Sequence, residues 1–125
     1  MQNETTKILI ADDQASVRNM LSDLVSHAGF TALMAENGEE AVTMATTHRP
    51  GVIILDLMMP VKNGLQAAQE IRAVPELAET PILFLTARGQ PQDEARTKEA
   101  GGSAFISKPF SPRQVLATIQ QLLNP

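Results

Sequence analysis

Cysteine, tryptophan and tyrosine are all missing from the 125 residues, and the four phenylalanines leave an aromatic content of 3%. Without cysteine there is no disulfide framework, no thiolate metal site and no catalytic thiol; this suits a reducing compartment, and the cytoplasm is the expected location. Long apolar runs are also missing. The purest, Val52 to Leu55, stops at Asp56, far short of a membrane span or a signal-peptide core, and the stretch from Met1 to Lys7 is polar. Neither export nor a membrane is expected. Positive charge is in deficit, since 10 Lys and Arg against 14 Asp and Glu give a net charge of −4. Non-specific nucleic-acid binding comes from neutralising phosphates, so direct contact with nucleic acid is not expected of this chain. No internal repeat, low-complexity tract or Pro/Gly/Ser-rich linker interrupts the sequence. With 43% hydrophobic residues, this length is read as one domain, 1–125, with a real core.

Short apolar runs alternate instead with longer helical patterns. Five runs read as strands: Lys7 to Ala11, Thr31 to Ala35, Val52 to Leu55, Ile82 to Leu85 and Ala104 to Ile106. Their continuous apolarity suits parallel strands covered on both faces. Between the first two, Val17, Met20, Leu21, Leu24, Val25 and Ala28 form a stripe at three- and four-residue steps that Gly29 can terminate. Asn37 with Glu40, Asn63 with Gln66, and Ser111 with Gln114 have the form of capping boxes and mark the starts of helices 2, 3 and 5. Pro112 suits the first position of helix 5, ahead of the stripe Val115, Leu116, Ile119, Leu122 and Leu123. Helix 4, about Pro91 to Ala100, is mostly polar; a narrow apolar strip is expected to anchor it loosely. Repeated βα units with right-handed crossovers give an α/β fold, an open parallel sheet with helices on both faces. Of the two common strand orders, five strands favour 2-1-3-4-5, with the ligand site beyond the carboxyl ends of the strands.

At those strand ends stand Asp12 and Asp13 after strand 1, Asp56 after strand 3, Thr86 after strand 4 and Lys108 after strand 5. Three carboxylates in one crevice raise one another's pKa unless a cation neutralises them. Oxygen-only donors suit Mg²⁺, with Mn²⁺ as a substitute, whereas zinc would want the histidines or cysteines that these ends lack. Mg²⁺ takes one or two carboxylates plus phosphate oxygens, which leaves a carboxylate as nucleophile. Asp56 can then hold an acyl phosphate while the Lys108 ammonium and Thr86 hydroxyl stabilise its oxygens.

The segments ILIADD, IILDLMMPVKNG, PILFLTA and FISKPF, in this order and spacing, resemble the bacterial response-regulator receiver family, from Lys7 to the last helix. The resemblance implies a flavodoxin-like doubly wound (βα)5 fold; the chemotaxis response regulator is a standard example of the 2-1-3-4-5 order, which this likeness carries more firmly than periodicity does. It implies Asp56 as phosphoacceptor in a two-component phosphorelay, and Asp13, Asp56 and the Met58 carbonyl as direct Mg²⁺ ligands, with Asp12 acting largely through water. It further implies a cis peptide between Lys108 and Pro109, and a sensor histidine kinase or phosphotransfer protein as donor. Thr86 and Phe105 take the switch positions, coupling the site to a surface of helix 4, strand 5 and helix 5 for an output domain, a downstream protein or a phosphorylation-linked dimer. Many relatives have tyrosine where Phe105 stands, and phenylalanine lacks that phenol's hydrogen bonds. Met58 and Arg88 occupy the positions that tune water access, and Met58 has no group to orient a hydrolytic water, so a long-lived phosphoryl group is expected.

Taken singly, these residues have plainer readings: a helix cap for Asp12 and Asp13, a strand-end hydroxyl for Thr86, core for Phe105. The joint frame of Asp56 and Lys108 raises them above these. His27 and His48, near helix ends, are assigned no function, and Met20, Met34, Met44, Met58 and Met59 read as packing. An aspartyl-nucleophile phosphatase of the haloacid-dehalogenase kind would want Asp-x-Asp after strand 1, where Gln14 stands, and an inserted cap. A flavodoxin-like electron carrier would want a phosphate-cradling loop in place of the acidic ADDQAS, and aromatics around its flavin. A pseudo-receiver that binds partners without phosphorylation is the weakest reading, because the acidic, hydroxyl and lysine set is complete.

Overall fold

The computed structural model describes residues 6–86 and 90–124; the expectations that fall on residues 1–5 and on Arg88 lie outside these described residues. Five parallel strands, β1 (Lys7–Ala11), β2 (Thr31–Ala35), β3 (Val52–Leu55), β4 (Ile82–Thr86) and β5 (Ala104–Ser107), form one sheet in the order β2-β1-β3-β4-β5. Helices α1 (Ala15–His27), α2 (Gly38–His48), α3 (Gly64–Arg72), α4 (Pro91–Glu99) and α5 (Pro112–Leu123) connect and cover it. The expected α/β fold and strand order are both present.

Alternation within each strand divides the core. Ile8, Ile10, Val52, Ile54, Leu83 and Leu85 pack with Leu21 and Val25 of α1 and Val115 and Ile119 of α5. Leu9, Ala11, Ile53, Leu55, Ile82 and Phe84 face the other way, against Ala41 and Ala45 of α2 and Ala67, Ala68 and Ile71 of α3. The central strands β3 and β4 are buried throughout because helices cover both faces. β4 and β5 each run one residue beyond the apolar reading, since the polar Thr86 and Ser107 are paired in the ladder.

Helix ends follow the cap residues, but of the three expected capping boxes one alone, Asn63–Gln66, closes in both directions. Asn63 and Gln66 make the full reciprocal box, each side chain accepting from the other's backbone N–H at 2.9 Å. Asn37 accepts from Glu40 N–H, but the Glu40 carboxylate reaches one residue further back, to Glu36 N–H at 2.8 Å. Ser111 accepts from Gln114 N–H at 3.0 Å behind Pro112. Gly29, at φ 96°, ends α1: Phe30 N–H donates to the Val25 carbonyl and Gly29 N–H to that of Ser26, a left-handed closure that glycine adopts without penalty.

Two expectations are corrected. The buried side of α4 is polar, made by Asp93 and Thr97 with Ala100 at its end, so no apolar strip anchors this helix. Of the methionines, Met59 is buried and Met44 packs at the core, whereas Met20, Met34 and Met58 are exposed. Met20 stands off the inner side of α1, Met34 lies on the sheet's edge strand, and Met58 lies in a loop.

At the far end of the sheet, the Arg72 guanidinium donates to the carbonyls of Leu77, Thr80 and Gly101, joining α3 to the turn before β5. Desolvation pushes its pKa down from the usual arginine range. The sheet thus carries all five polar strand-end residues at one edge, on a frame held by both layers.

Candidate functional site

Each site residue is delivered by the point where a buried strand meets the end of its ladder. β1 stops as Asp12 N–H donates to the Ala35 carbonyl, and β3 as Asp56 N–H donates to that of Ala11, so both carboxylates emerge side by side. Oxygen atoms of Asp12, Asp13 and Asp56 all lie within 4.8 Å of one another. Asp12 and Asp56 are only 2% and 6% exposed, while Asp13 faces solvent. Lys108 reaches across from the end of β5, its Nζ 2.9 Å from Asp12 Oδ2 and 3.6 Å from Asp56 Oδ2. Its backbone N–H donates to the Thr86 carbonyl at 2.6 Å, and the peptide to Pro109 is cis, as the resemblance implies. Thr86, fully buried, ends β4 rather than following it.

The electrostatics are those of a crowded anionic crevice. Burial first, and then the Asp12 charge, raise the Asp56 pKa above the ordinary carboxylate range; Lys108 and a backbone N–H from Met58, 3.3 Å from Oδ1, pull it back only in part. Asp12 and Asp56 share the Lys108 ammonium, and Asp13 stands outside its reach. Every donor is oxygen, which fits a hard divalent cation and not zinc.

Each polar atom of the Asp12 side chain and its carbonyl has a partner. Oδ1 accepts from Gln14 N–H at 2.9 Å, Oδ2 from Lys108, and its main-chain carbonyl from Arg18 Nη1 at 2.7 Å. Arg18 was not singled out by sequence reasoning, because a bond to a backbone carbonyl six residues away leaves no pattern in residue types. Its place in the first turn of α1, five residues after Asp13, was the only signal.

Phe105 is half-buried in β5, opposite Phe84 in the ladder and beside a groove lined by Glu94, Thr97, Lys98 and Ser103. Met58, 54% exposed, stands on the loop after Asp56. The structure therefore brings together Asp12, Asp13, Asp56 and Lys108, sets Thr86 at the same edge, and puts Phe105 on the flank towards α4. His27, bonded through Nδ1 to the Asp23 carbonyl, and His48 at the end of α2 are not part of this crevice.

A doubly wound parallel sheet with acidic and lysine side chains gathered at its carboxyl edge defines a receiver-type signalling domain. The chain belongs to the response regulator receiver domain family, whose pattern residues 8–120 match. It is 38% identical to the transcriptional regulatory protein ResD of Bacillus subtilis over 123 residues, covering 98% of this chain and 50% of that protein. The chain spans about half the length of the curated relatives it matches. Among solved structures, the chemotaxis protein CheY4 of Vibrio cholerae superposes with a TM-score of 0.91 at 35% identity, covering 96% of this chain and all of that one. The receiver domain of the Pseudomonas aeruginosa sensor histidine kinase PA1611, with a TM-score of 0.90 and 25% identity over 98% of this chain and 100% of that one, has a magnesium ion coordinated in its active-site cleft. The family's receivers are the phosphoacceptors of two-component systems.

Proposed function

We propose that Asp56 accepts a phosphoryl group from a phosphohistidine on a sensor histidine kinase or phosphotransfer protein. The observation that carries this is the buried Asp56 carboxylate, grouped within 4.8 Å of two further carboxylates with the Lys108 ammonium 3.6 Å away. An Asp56 oxygen attacks phosphorus, and the P–N bond breaks with its electron pair passing to the imidazole, leaving an acyl phosphate. Lys108, with three donors, turns from Asp12 to a phosphoryl oxygen, and Thr86 supplies a hydroxyl to another.

The donor set fits Mg²⁺, and Mn²⁺ takes the same oxygens. Asp13, Asp56 and the Met58 carbonyl would hold it directly, and Asp12 largely through water. When bound, the ion offsets negative charge on the phosphoryl oxygens and the carboxylates.

The added charge draws Thr86 and Lys108 inward, and Phe105 turns into the space released, which alters the α4–β5–α5 surface. That surface serves an output domain or a downstream protein, with the chain acting as a monomer or as a phosphorylation-linked dimer. Residues 1–125 form one receiver domain, working in the cytoplasm where its donor presents phosphohistidine, and it assists only its own phosphorylation and dephosphorylation. Because Met58 cannot orient a water molecule, the acyl phosphate persists for minutes rather than seconds.

Incubation with acetyl phosphate and Mg²⁺, followed by intact-mass measurement of the parent and Asp56→Asn, tests the reading. One added phosphoryl group in the parent and none in the variant is expected. Modification at any other residue, or none with the metal present, overturns it; decay of the phosphoryl group within seconds refutes the long lifetime alone.

A further inference from the structure

Asp13 is the carboxylate with the least support. Among the described residues it makes no hydrogen bond or ion pair with another side chain, and it faces solvent. Asp12, by contrast, is held at every polar group: its backbone N–H by Ala35, its two side-chain oxygens by Gln14 and Lys108, and its carbonyl by Arg18. That carbonyl belongs to the planar peptide joining Asp12 to Asp13, so whatever fixes it also sets the direction in which the Asp13 chain leaves.

We infer that Arg18 is a positioning residue for the divalent cation: its guanidinium locks the Asp12–Asp13 peptide so that the Asp13 carboxylate is held towards Asp56 before the ion arrives. The head group is mostly covered, with its side chain 14% exposed, and its second arm lies 3.8 Å from the Glu36 carboxylate beyond β2. The bond to the Asp12 carbonyl, at 2.7 Å, is the shorter one and is partly buried. The Glu36 contact is long, its carboxylate is largely in water, and it contributes little. The inference rests on the cation-binding reading above.

Charge and position make opposite demands at this point, which separates them. A guanidinium near an acidic crevice opposes a second cation, so removing it on electrostatic grounds alone tightens Mg²⁺ binding. Removing a group that orients a ligand loosens binding, by roughly tenfold or more for partners of this kind.

The measurement is calorimetric titration of the full chain with MgCl₂ at fixed ionic strength, for the parent, Arg18→Met, Arg18→Lys and Glu36→Gln, with circular dichroism to establish folding. Roughly tenfold weaker binding in Arg18→Met, an intermediate loss in Arg18→Lys and no change in Glu36→Gln is the expected result. Unchanged or tighter binding in a folded Arg18→Met overturns the inference while leaving the functional reading intact. If Arg18→Met does not fold, parent-like affinity in Arg18→Lys, which keeps the charge but not the planar fork, overturns it equally. A parent that binds no Mg²⁺ overturns the functional reading, and this inference with it.

Discussion

Asp56 carries its charge where the surroundings oppose it. Burial and the neighbouring Asp12 raise its pKa in the folded chain above the unfolded value of 3.8. The folded state therefore holds the proton more tightly, and stability falls as pH rises from the unfolded pKa through the folded one. Without metal, Asp56→Asn should raise the midpoint of urea unfolding at neutral pH, with the gain shrinking as the pH is lowered towards 4; a gain that does not vary with pH would contradict burial and the Asp12 charge as its cause. Val61 shows a different local cost. It is a β-branched residue at φ 69° in a three-residue turn closed by Lys62 N–H to the Pro60 carbonyl at 2.7 Å, and it is 79% exposed. Left-handed backbone costs such a residue about 1–2 kcal/mol, and so exposed a side chain gives up little packing on removal. Val61→Gly is expected to stabilise the chain by about 1 kcal/mol after the added freedom of the unfolded state is counted, as measured by urea denaturation.

At the scale of elements, the loop from Asp56 to α3 shows how a helix start positions a reactive group. The Asn63–Gln66 box fixes the first turn, and Gly64 N–H donates to the Leu57 carbonyl at 3.0 Å, drawing that turn under Asp56. A Cβ on Gly64 would press into the carbonyl oxygen of Asp56, a backbone atom that cannot rotate away. Gly64→Ala should cost about 2–4 kcal/mol and also slow phosphorylation by acetyl phosphate, since relief requires moving Asp56 itself. Normal phosphorylation kinetics in a destabilised variant would separate the two effects and show that the helix start does not govern the site. α4 is the element that pattern reading misjudged. Its sequence promised a thin apolar strip, but Asp93 and Thr97 are the buried positions, and helical periodicity counted in apolar residues has no means of finding a polar inner face.

For the whole molecule, the proposed cation site at the acidic edge predicts a fold whose stability responds to divalent cations. An ion that binds the folded chain and not the unfolded one stabilises it by mass action, by about 2.7 kcal/mol at one hundred times its dissociation constant. Thermal unfolding with and without Mg²⁺ should show this rise, EDTA should abolish it, and Asp13→Asn should remove most of it.

Much of this architecture was readable in one dimension. β1, β2 and β3 have the bounds their apolar runs suggested; β3 is covered on both faces and apolar throughout, and each of the three stops where polar or turn residues begin. Asn63, Ser111, Pro112 and Gly29 marked helix ends through chemistry local to a few residues, and the polar residues at the strand ends followed from the same boundaries. What the chain order could not say is how those residues divide their bonds. Lys108 lies nearer Asp12 than Asp56, Asp13 is left open, and Arg18 grips a carbonyl. Such choices depend on side-chain direction and distance between segments far apart in sequence, and only the packed sheet brings them within a few ångströms.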